Sequence, residues 1–451
     1  NFLQSDLADF APFRTNLDRL TIGNPDAADV SPAYEIFGRF LERLRQHTAF
    51  AENLLKQDHF KFNTDEKILL DRRHAPFPKD LAAAQKIWRQ QLDYEYLQEK
   101  LSREIPATNE TVVVHLPKSA GKDIAETLER HYNWRLHVLT NWDNTDVLQD
   151  YLDSFTHAYD PHSDYLNTAH AQQFSIEMSL SLFGIGAQLR EDDGYCTIVS
   201  LVPGGPASKS KQLHENDRIL AVAQGSQPPV SVVDMDLGKA VQLIRGPKGT
   251  QVRLTISPAE DRAERRIVTL TRDEIKLQDQ EAKAQLVELP DGHGGTNRLG
   301  VITLPSFYAT VDLPGSGGDH SNKSTTTDVD KLIRKLKQEK VDGIILDLRY
   351  NPGGSLEEAI RFTGLFIKDG PVVLARDPDG RVMIDSDNDP RELYDGPLIV
   401  LDNRLSASAA EIAAAALQDY GRAVIVGDTS THGKGTVQSL SPLAPFVDLT
   451  D

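Results

Sequence analysis

Residues 397–420 read PLIVLDNRLSASAAEIAAAALQDY, and this stretch decides the fold of the C-terminal part of the chain. PLIVLD is a short apolar run bounded by turn-forming residues, which predicts a buried strand. AAEIAAAALQDY is built of strong helix formers. The order is therefore strand, tight turn, helix. Ser406 and Ser408 fall at or just inside the helix N-terminus, where backbone N–H groups lack intrahelical partners and the dipole favours negative charge. A serine there is a cap or a nucleophile. Two serines allow both, with Ser406 as cap and Ser408 as nucleophile.

The same alternation extends on both sides. From about residue 298, LGVITL, VDGIILDLR, PLIVLD and AVIVG read as strands. VDKLIRKLKQEK, LEEAIRFTGLFI and the alanine segment read as the helices between them. Strands and helices in turn predict a layered α/β unit. The Gly/Ser/Thr-rich insertion LPGSGGDHSNKSTTT is expected to be a mobile surface loop.

A nucleophilic serine needs a base and oxyanion donors. DLRYNPGGSLEEA, Asp347–Ala359, supplies a glycine turn whose Gly353 and Gly354 N–H groups carry no side-chain obstruction, although alone it is also a plain strand-to-helix turn. THGKGTVQ, Thr431–Gln438, places Lys434 between two glycines. To act as a base Lys434 must be uncharged, which burial against the Ala413–Ala416 helix and the positive helix end would favour. Gln438, four residues on, is placed to orient the amine. His432 is the rival base and would complete a serine–histidine triad with an aspartate.

The rest of the chain has a different texture. Residues 1 to about 165 read as helical: Ile36, Phe37, Phe40, Leu41 and Leu44 recur at helical spacing, as do Trp88, Leu92 and Tyr96. SREIPATNETVVVHLPKSAGKD breaks the pattern and reads as a connector. A further helix through NTDVLQDYLDSFTHAY should stop before Asp160-Pro161. From about 180 to 275, YCTIVSLV, DRILAVA, VRLTIS and RRIVTLTR are strand-like and are separated by turns such as PGGP and RGPKGT. GPKGT lacks the spacing of a phosphate loop and reads as a turn.

With 451 residues the chain should hold two to four domains. Its 39% hydrophobic and 26% charged content is that of a soluble globular protein, and no segment approaches the ~18 consecutive apolar residues of a membrane span. A net charge of −18 argues against nucleic acid or an anionic membrane surface as main partner. The single cysteine, Cys196, excludes an internal disulfide and any Cys-only metal site, and reads as a buried strand residue. Low cysteine use fits the cytoplasm or a bacterial periplasm. The chain begins at Asn1 without Met, so removal of an N-terminal piece is expected.

Together, SASAAEI, LQDYGRAVIVGD, GKGTVQ, DLRYNPGG, MSLSLFGIGAQL, VPGGPASKS and NDRI, in this chain order, resemble the C-terminal processing peptidases, or tail-specific proteases, of the large periplasmic bacterial type. The resemblance implies a multidomain α+β protein: a helical N-terminal domain (1–165), a PDZ-like β-rich domain (166–275) and an α/β crotonase-like peptidase core (276–451). It implies a serine–lysine dyad with Ser408 as nucleophile, Lys434 as general base and Gln438 as supporting amide. The oxyanion donors would be the N–H groups of Gly354 and Ala409. Ala410 stands where the family has a third serine. Phe183, Gly184, Ile185 and Gly186 match the PDZ loop that holds a C-terminal carboxylate, with the peptide adding as a strand. Implied partners are unfolded or tagged proteins with apolar C-termini, with an adaptor protein to deliver them. Neither metal nor cofactor is implied, and the location is the bacterial periplasm or envelope. Proteins of this type continue beyond GKGTVQ, so truncation at Asp451 is expected. The alternatives are a non-catalytic PDZ scaffold and acyl-thioester chemistry on a crotonase-like core.

Overall fold

The structure, a computed structural model, describes residues 2–15, 29–57, 60–62, 65–104, 123–277, 280–290, 294–311 and 323–443. Most of the connector expected after residue 102, and most of the Gly/Ser/Thr-rich insertion, lie outside the described residues. The chain divides into two compact units, 1–165 with 438–451, and 166–437.

The first unit is helical. It contains α1 (Gln4–Phe10), a 3₁₀ turn (Ala11–Thr15), α2 (Ser31–Gln57), α3 (Leu81–Glu104), α4 (Ile124–Thr140) and α5 (Asn144–Tyr159). Apolar residues at helical spacing on α2, α3 and α4 meet in one core, with Ala51, Leu55, Leu92, Leu128 and Tyr132 buried. Helix α5 starts on the Asp143 carboxylate, which accepts the Thr145 and Asp146 N–H groups. It ends at Tyr159, with Asp160 extended ahead of Pro161. Asp6 is fully buried and is gripped by Arg39 and Arg43, each at 2.7 Å.

The second unit opens with a β-rich part. Its elements are α6 (Thr168–Ser179), β1 (Ser181–Gly184), β2 (Ala187–Asp192), β3 (Tyr195–Leu201), α7 (Pro206–Ser210), β4 (Arg218–Gln224), β5 (Val230–Ser231), α8 (Leu237–Ile244), β6 (Gln251–Ser257), β7 (Arg266–Thr271) and β8 (Asp273–Lys276). An antiparallel sheet runs in the order β2-β3-β4-β6-β7, with β5 paired to β4. Strand alternation turns Val252, Leu254 and Ile256 of β6 inward onto Ile198, Ile219 and Val222. Cys196 lies in this core, where burial pushes its thiol up to about 11. Residues 246–250 form a turn between α8 and β6, as the sequence predicts.

Strands β1 and β8 pair antiparallel at the two ends of this part, Ser181 opposite Lys276. Just outside the pair, Leu277 N–H donates to Leu180 O, and Leu180 is buried in the core of the following α/β layer.

That layer comprises β9 (Lys283–Pro290), β10 (Thr296–Thr303), α9 (Thr325–Gln338), β11 (Gly343–Asp347), α10 (Leu356–Gly364), β12 (Gly370–Arg376), β13 (Val382–Asp387), β14 (Leu398–Asp402), α11 (Ala409–Asp419) and β15 (Val424–Gly427). Its sheet runs β15-β14-β11-β10-β9, parallel except for the antiparallel β9. The crossovers through α9, α10 and α11 are what parallel neighbours require. Helix α9 buries Val329, Ile333 and Leu336 and turns its lysines outward. The antiparallel β12–β13 ribbon was not anticipated. Leu374, Val382, Met383 and Ile384 are exposed on it, so it lacks the one-sided burial by which a strand is recognised in sequence.

The alanines of α11 also differ from expectation. Ala409, Ala410, Ala413, Ala414 and Ala416 are buried in the same cluster as Phe362 and Phe366 of the α10 region. Their small size serves helix-to-core packing, while Lys434 is half-buried and anchored by its backbone.

Candidate active site

The site is assembled from the loops that follow β11, β14 and β15, three neighbouring parallel strands. Loops at the carboxyl ends of parallel strands are the usual place for a site in an open α/β sheet.

Ser408 holds the cap position of α11 with φ 53° and ψ −114°, and its hydroxyl makes no cap hydrogen bond. For a residue with a Cβ this conformation costs on the order of 1–3 kcal/mol and persists only where the surroundings impose it. A sharp strand–serine–helix turn of this kind presents a serine hydroxyl for attack. Ser406 is not the cap. It is buried, its Oγ donates to Leu348 O at 2.9 Å and accepts the Asn403 N–H at 2.9 Å, so it staples the β11 loop to the β14 loop. The two-serine pattern could not separate these roles, because only the tertiary fold brings Leu348 beside Ser406.

The glycine turn packs directly on Ser408. Gly353 and Gly354 adopt φ +99° and +140°. A Cβ on Gly353 would stand 2.7 Å from Ser408 Cβ and 3.0 Å from Ala409 N, and one on Gly354 would overlap the Phe307 carbonyl. Phe307 fixes the turn from the other side: its N–H donates to Gly353 O and its carbonyl accepts the Ser355 N–H, both at 2.8 Å. The Gly353 N–H is occupied by Asn351 Oδ1 at 2.8 Å. The Gly354 and Ala409 N–H groups donate to no acceptor among the described residues.

The Lys434 backbone is tied to the Ser408 loop through Glu411, a residue sequence reasoning missed. Glu411 Oε2 accepts the N–H groups of Ser408 at 2.8 Å and Lys434 at 3.1 Å. Its Oε1 accepts the Thr431 hydroxyl and the Gly433 N–H, both at 2.6 Å. Burial pushes this carboxyl up, but the Thr431 hydroxyl and the Gly433, Ser408 and Lys434 N–H groups outweigh it and leave it below its ordinary value. The available signal was the spacing Ser408-x-x-Glu411, the capping-box pattern. His432, the rival base, is exposed, and its N–H donates to Ser406 O at 3.0 Å. Asp402, buried at the end of β14, is pushed up by burial and by the nearby Asp428 and Glu411. Gln438 belongs to the helical unit, where its Nε2 donates to Asp160 Oδ2 at 2.8 Å.

In the β-rich part, Phe183 and Gly184 end β1, and Ile185 and Gly186 lead into β2. The Ile185 and Gly186 carbonyls accept the N–H groups of Ala207 and Val202, at 2.8 and 2.9 Å, while their own N–H groups donate to no acceptor among the described residues. Strand β2 is a sheet edge. Its Leu189 and Leu237 of α8 are partly buried against one core. An edge strand beside a helix is a geometry that accepts an extended peptide.

Three family models match the chain: tail specific protease N-terminal domain over residues 1–169, PDZ domain over 173–257, and peptidase family S41 over 298–450. Residues 298–450 thus form a peptidase family S41 region. The S41 match spans Ser408, Gly354 and Lys434 alike. Among relatives, the tail-specific protease of Haemophilus influenzae is 37% identical over 99% of this chain and 59% of its own length. The carboxy-terminal processing protease CtpA of Bacillus subtilis is 35% identical over 62% of this chain and 53% of its own. The chain thus spans little more than half the length of these relatives. A solved PDZ domain of a carboxy-terminal protease from Vibrio cholerae, in complex with peptide, is 49% identical over 22% of this chain and all of that one, with a TM-score of 0.21. Among the described residues no group of three or more His, Cys, Asp or Glu side chains is placed to hold a metal, and no helix is long and apolar enough to cross a membrane.

Proposed function

We propose that this protein is a serine endopeptidase that captures the apolar C-terminal tail of a protein substrate in its PDZ domain and cuts the chain with a Ser408–Lys434 dyad. The observation that carries this is the strained Ser408 backbone at the start of α11, packed against the Gly353–Gly354 turn and tied through Glu411 to the Lys434 backbone.

In this reading Ser408 Oγ attacks the scissile carbonyl carbon while Lys434 Nζ takes its proton. The resulting oxyanion is held by the Gly354 and Ala409 N–H groups, a pair of donors of which each is typically worth ~10²–10³ in rate. Collapse expels the amine, which receives the proton from Lys434. Water then attacks the acyl-serine with Lys434 again as base. The N–H groups of Ile185 and Gly186, in the loop Phe183-Gly184-Ile185-Gly186, hold the tail carboxylate. The half-buried Leu189 and Leu237 favour apolar residues in that tail. To the same reading belong an envelope or periplasmic location, unfolded or tagged proteins as substrates and an adaptor to deliver them; the tail-specific protease of Haemophilus influenzae is a bacterial relative.

The test is turnover of an unfolded protein with an apolar tail by the unaltered chain, Ser408→Ala and Lys434→Ala. Cleavage confined to the unaltered chain is expected. Equal cleavage by either variant sinks the dyad. Tail binding without any cleavage would instead support a non-catalytic scaffold.

A further inference from the structure

Asn351 lies under the site without facing it. It is 0% exposed. Its Nδ2 donates to Leu304 O, just past β10, at 2.9 Å, and its Oδ1 accepts the Gly353 N–H at 2.8 Å. Its backbone carbonyl accepts the N–H of Ala407, the residue before Ser408, at 2.9 Å, and its own N–H donates to Leu348 O at 3.1 Å. One residue is therefore bonded to the end of a central strand, to the glycine turn and to the nucleophile loop.

This matters because of what glycine leaves open. Gly353 and Gly354 have no Cβ, so their own covalent structure does little to fix where their peptide groups point. Phe307 holds the turn by Gly353 O, which shares one planar peptide group with the Gly354 N–H, and by the Ser355 N–H of the next peptide. The Asn351 side chain supplies the remaining tie by occupying the Gly353 N–H. Its amide must accept at Gly353 and donate at Leu304 at once. A carboxylate there would put two oxygens together at Leu304, and alanine would leave both partners unpaired in a buried place.

We propose that Asn351 is a positioning residue for the oxyanion donors: it fixes the Gly353–Gly354 turn against the Ser408 loop so that the Gly354 N–H is aimed at the reacting oxygen. This rests on the peptidase reading above. A misplacement of about 1 Å in such an arrangement costs on the order of 10² in rate.

The experiment compares the unaltered full chain with Asn351→Asp, which keeps the volume and the Gly353 acceptor, and Asn351→Ala. For each, kcat and KM on an apolar-tailed peptide and the Ki of a matched peptide boronate are measured per active site, with sites counted by burst titration. The boronate is a tetrahedral mimic that relies on the same donors. Expected is a parallel loss of about 10² in kcat and in boronate affinity, with KM within about twofold. If alanine does not fold, the aspartate variant decides. A reduced number of sites that each keep the unaltered kcat and Ki makes Asn351 merely structural and overturns the proposal. Ser408-dependent turnover with normal Asn351 variants overturns this proposal alone. Absence of Ser408-dependent turnover in the unaltered chain overturns the peptidase reading and this proposal together.

Discussion

Glu411 accepts the Ser408 N–H through the same carboxylate oxygen that takes the Lys434 N–H. The two residues assigned to the dyad lie on different loops, and their backbones are tied together at this one oxygen. A charged acceptor shared by several N–H groups is stronger than a neutral one. Glu411→Gln keeps the size of the side chain but replaces one oxygen with a donor that faces other donors. Peptide turnover by Glu411→Gln is expected to fall about 10–100-fold by misplacement of the Lys434 loop, with tail binding by the PDZ domain unchanged. A normal kcat would remove Glu411 from the positioning of the site.

The same carboxylate gives a pH dependence. Its folded value lies below the ordinary carboxylate value, so the stability it contributes is fully present above that ordinary value. It is lost as the pH falls through the depressed one. Thermal unfolding of the unaltered chain and of Glu411→Gln should therefore differ most near neutral pH and converge as the medium is acidified below pH ~4. A gap that widens on acidification would contradict the assigned sign.

Strain at Ser408 predicts an opposition between activity and stability. Ser408→Ala keeps a Cβ in the φ 53°, ψ −114° conformation and keeps the strain. Ser408→Gly releases it, at a smaller cost in unfolded-chain entropy. Both should be inactive, with the glycine variant the more stable of the two by about 1 kcal/mol. Urea midpoints at equal m-values measure this, and an alanine variant as stable as the glycine one would mean the turn is unstrained.

Arg272 is buried without a carboxylate partner among the described residues. Its guanidinium donates to Ile244 O, Leu243 O, Thr250 Oγ1 and Gln224 Oε1 at 2.6–3.1 Å, which ties the end of α8 to the β-sheet. Burial pulls its pKa down, as desolvation of a cation requires. A lysine cannot reach these divergent acceptors from one atom. Arg272→Lys and Arg272→Met should each cost about 2–4 kcal/mol in unfolding of the PDZ part, because buried acceptors lose their donors. Unfolding monitored by hydrogen exchange over residues 181–276 checks it.

In the helical unit, the hydrogen bond from Arg43, with those from Leu3 N–H and Arg39, holds the buried Asp6 carboxyl well below the carboxylate range despite its burial. A depressed carboxyl contributes stability above its ordinary value and loses it as the pH falls. Asp6→Asn should cost about 3–5 kcal/mol near neutral pH, since it leaves two arginines without their shared anion. The helical circular-dichroism signal of variant and unaltered chain should show that gap at pH 7 and a narrower one at pH 3.

The sequence by itself determined the local elements wherever burial is one-sided. The α/β alternation around PLIVLD, the 3.6-residue stripe of α9 and the alternation of β6 follow from which residues must leave water. It also placed Ser408 at a helix start and Lys434 in a loop after a strand, because turn and cap chemistry are local. Tertiary structure alone decided the rest. The β12–β13 ribbon exposes three consecutive apolar residues, Val382, Met383 and Ile384, and so gives no alternating signal there. Ser406 became a staple and not a cap because Leu348, far away in sequence, lies beside it. The alanines of α11 were spent on packing against the α10 region. Glu411 and Asn351 gain their roles from hydrogen bonds that cross between loops, and spacing along a chain does not encode which loops will meet.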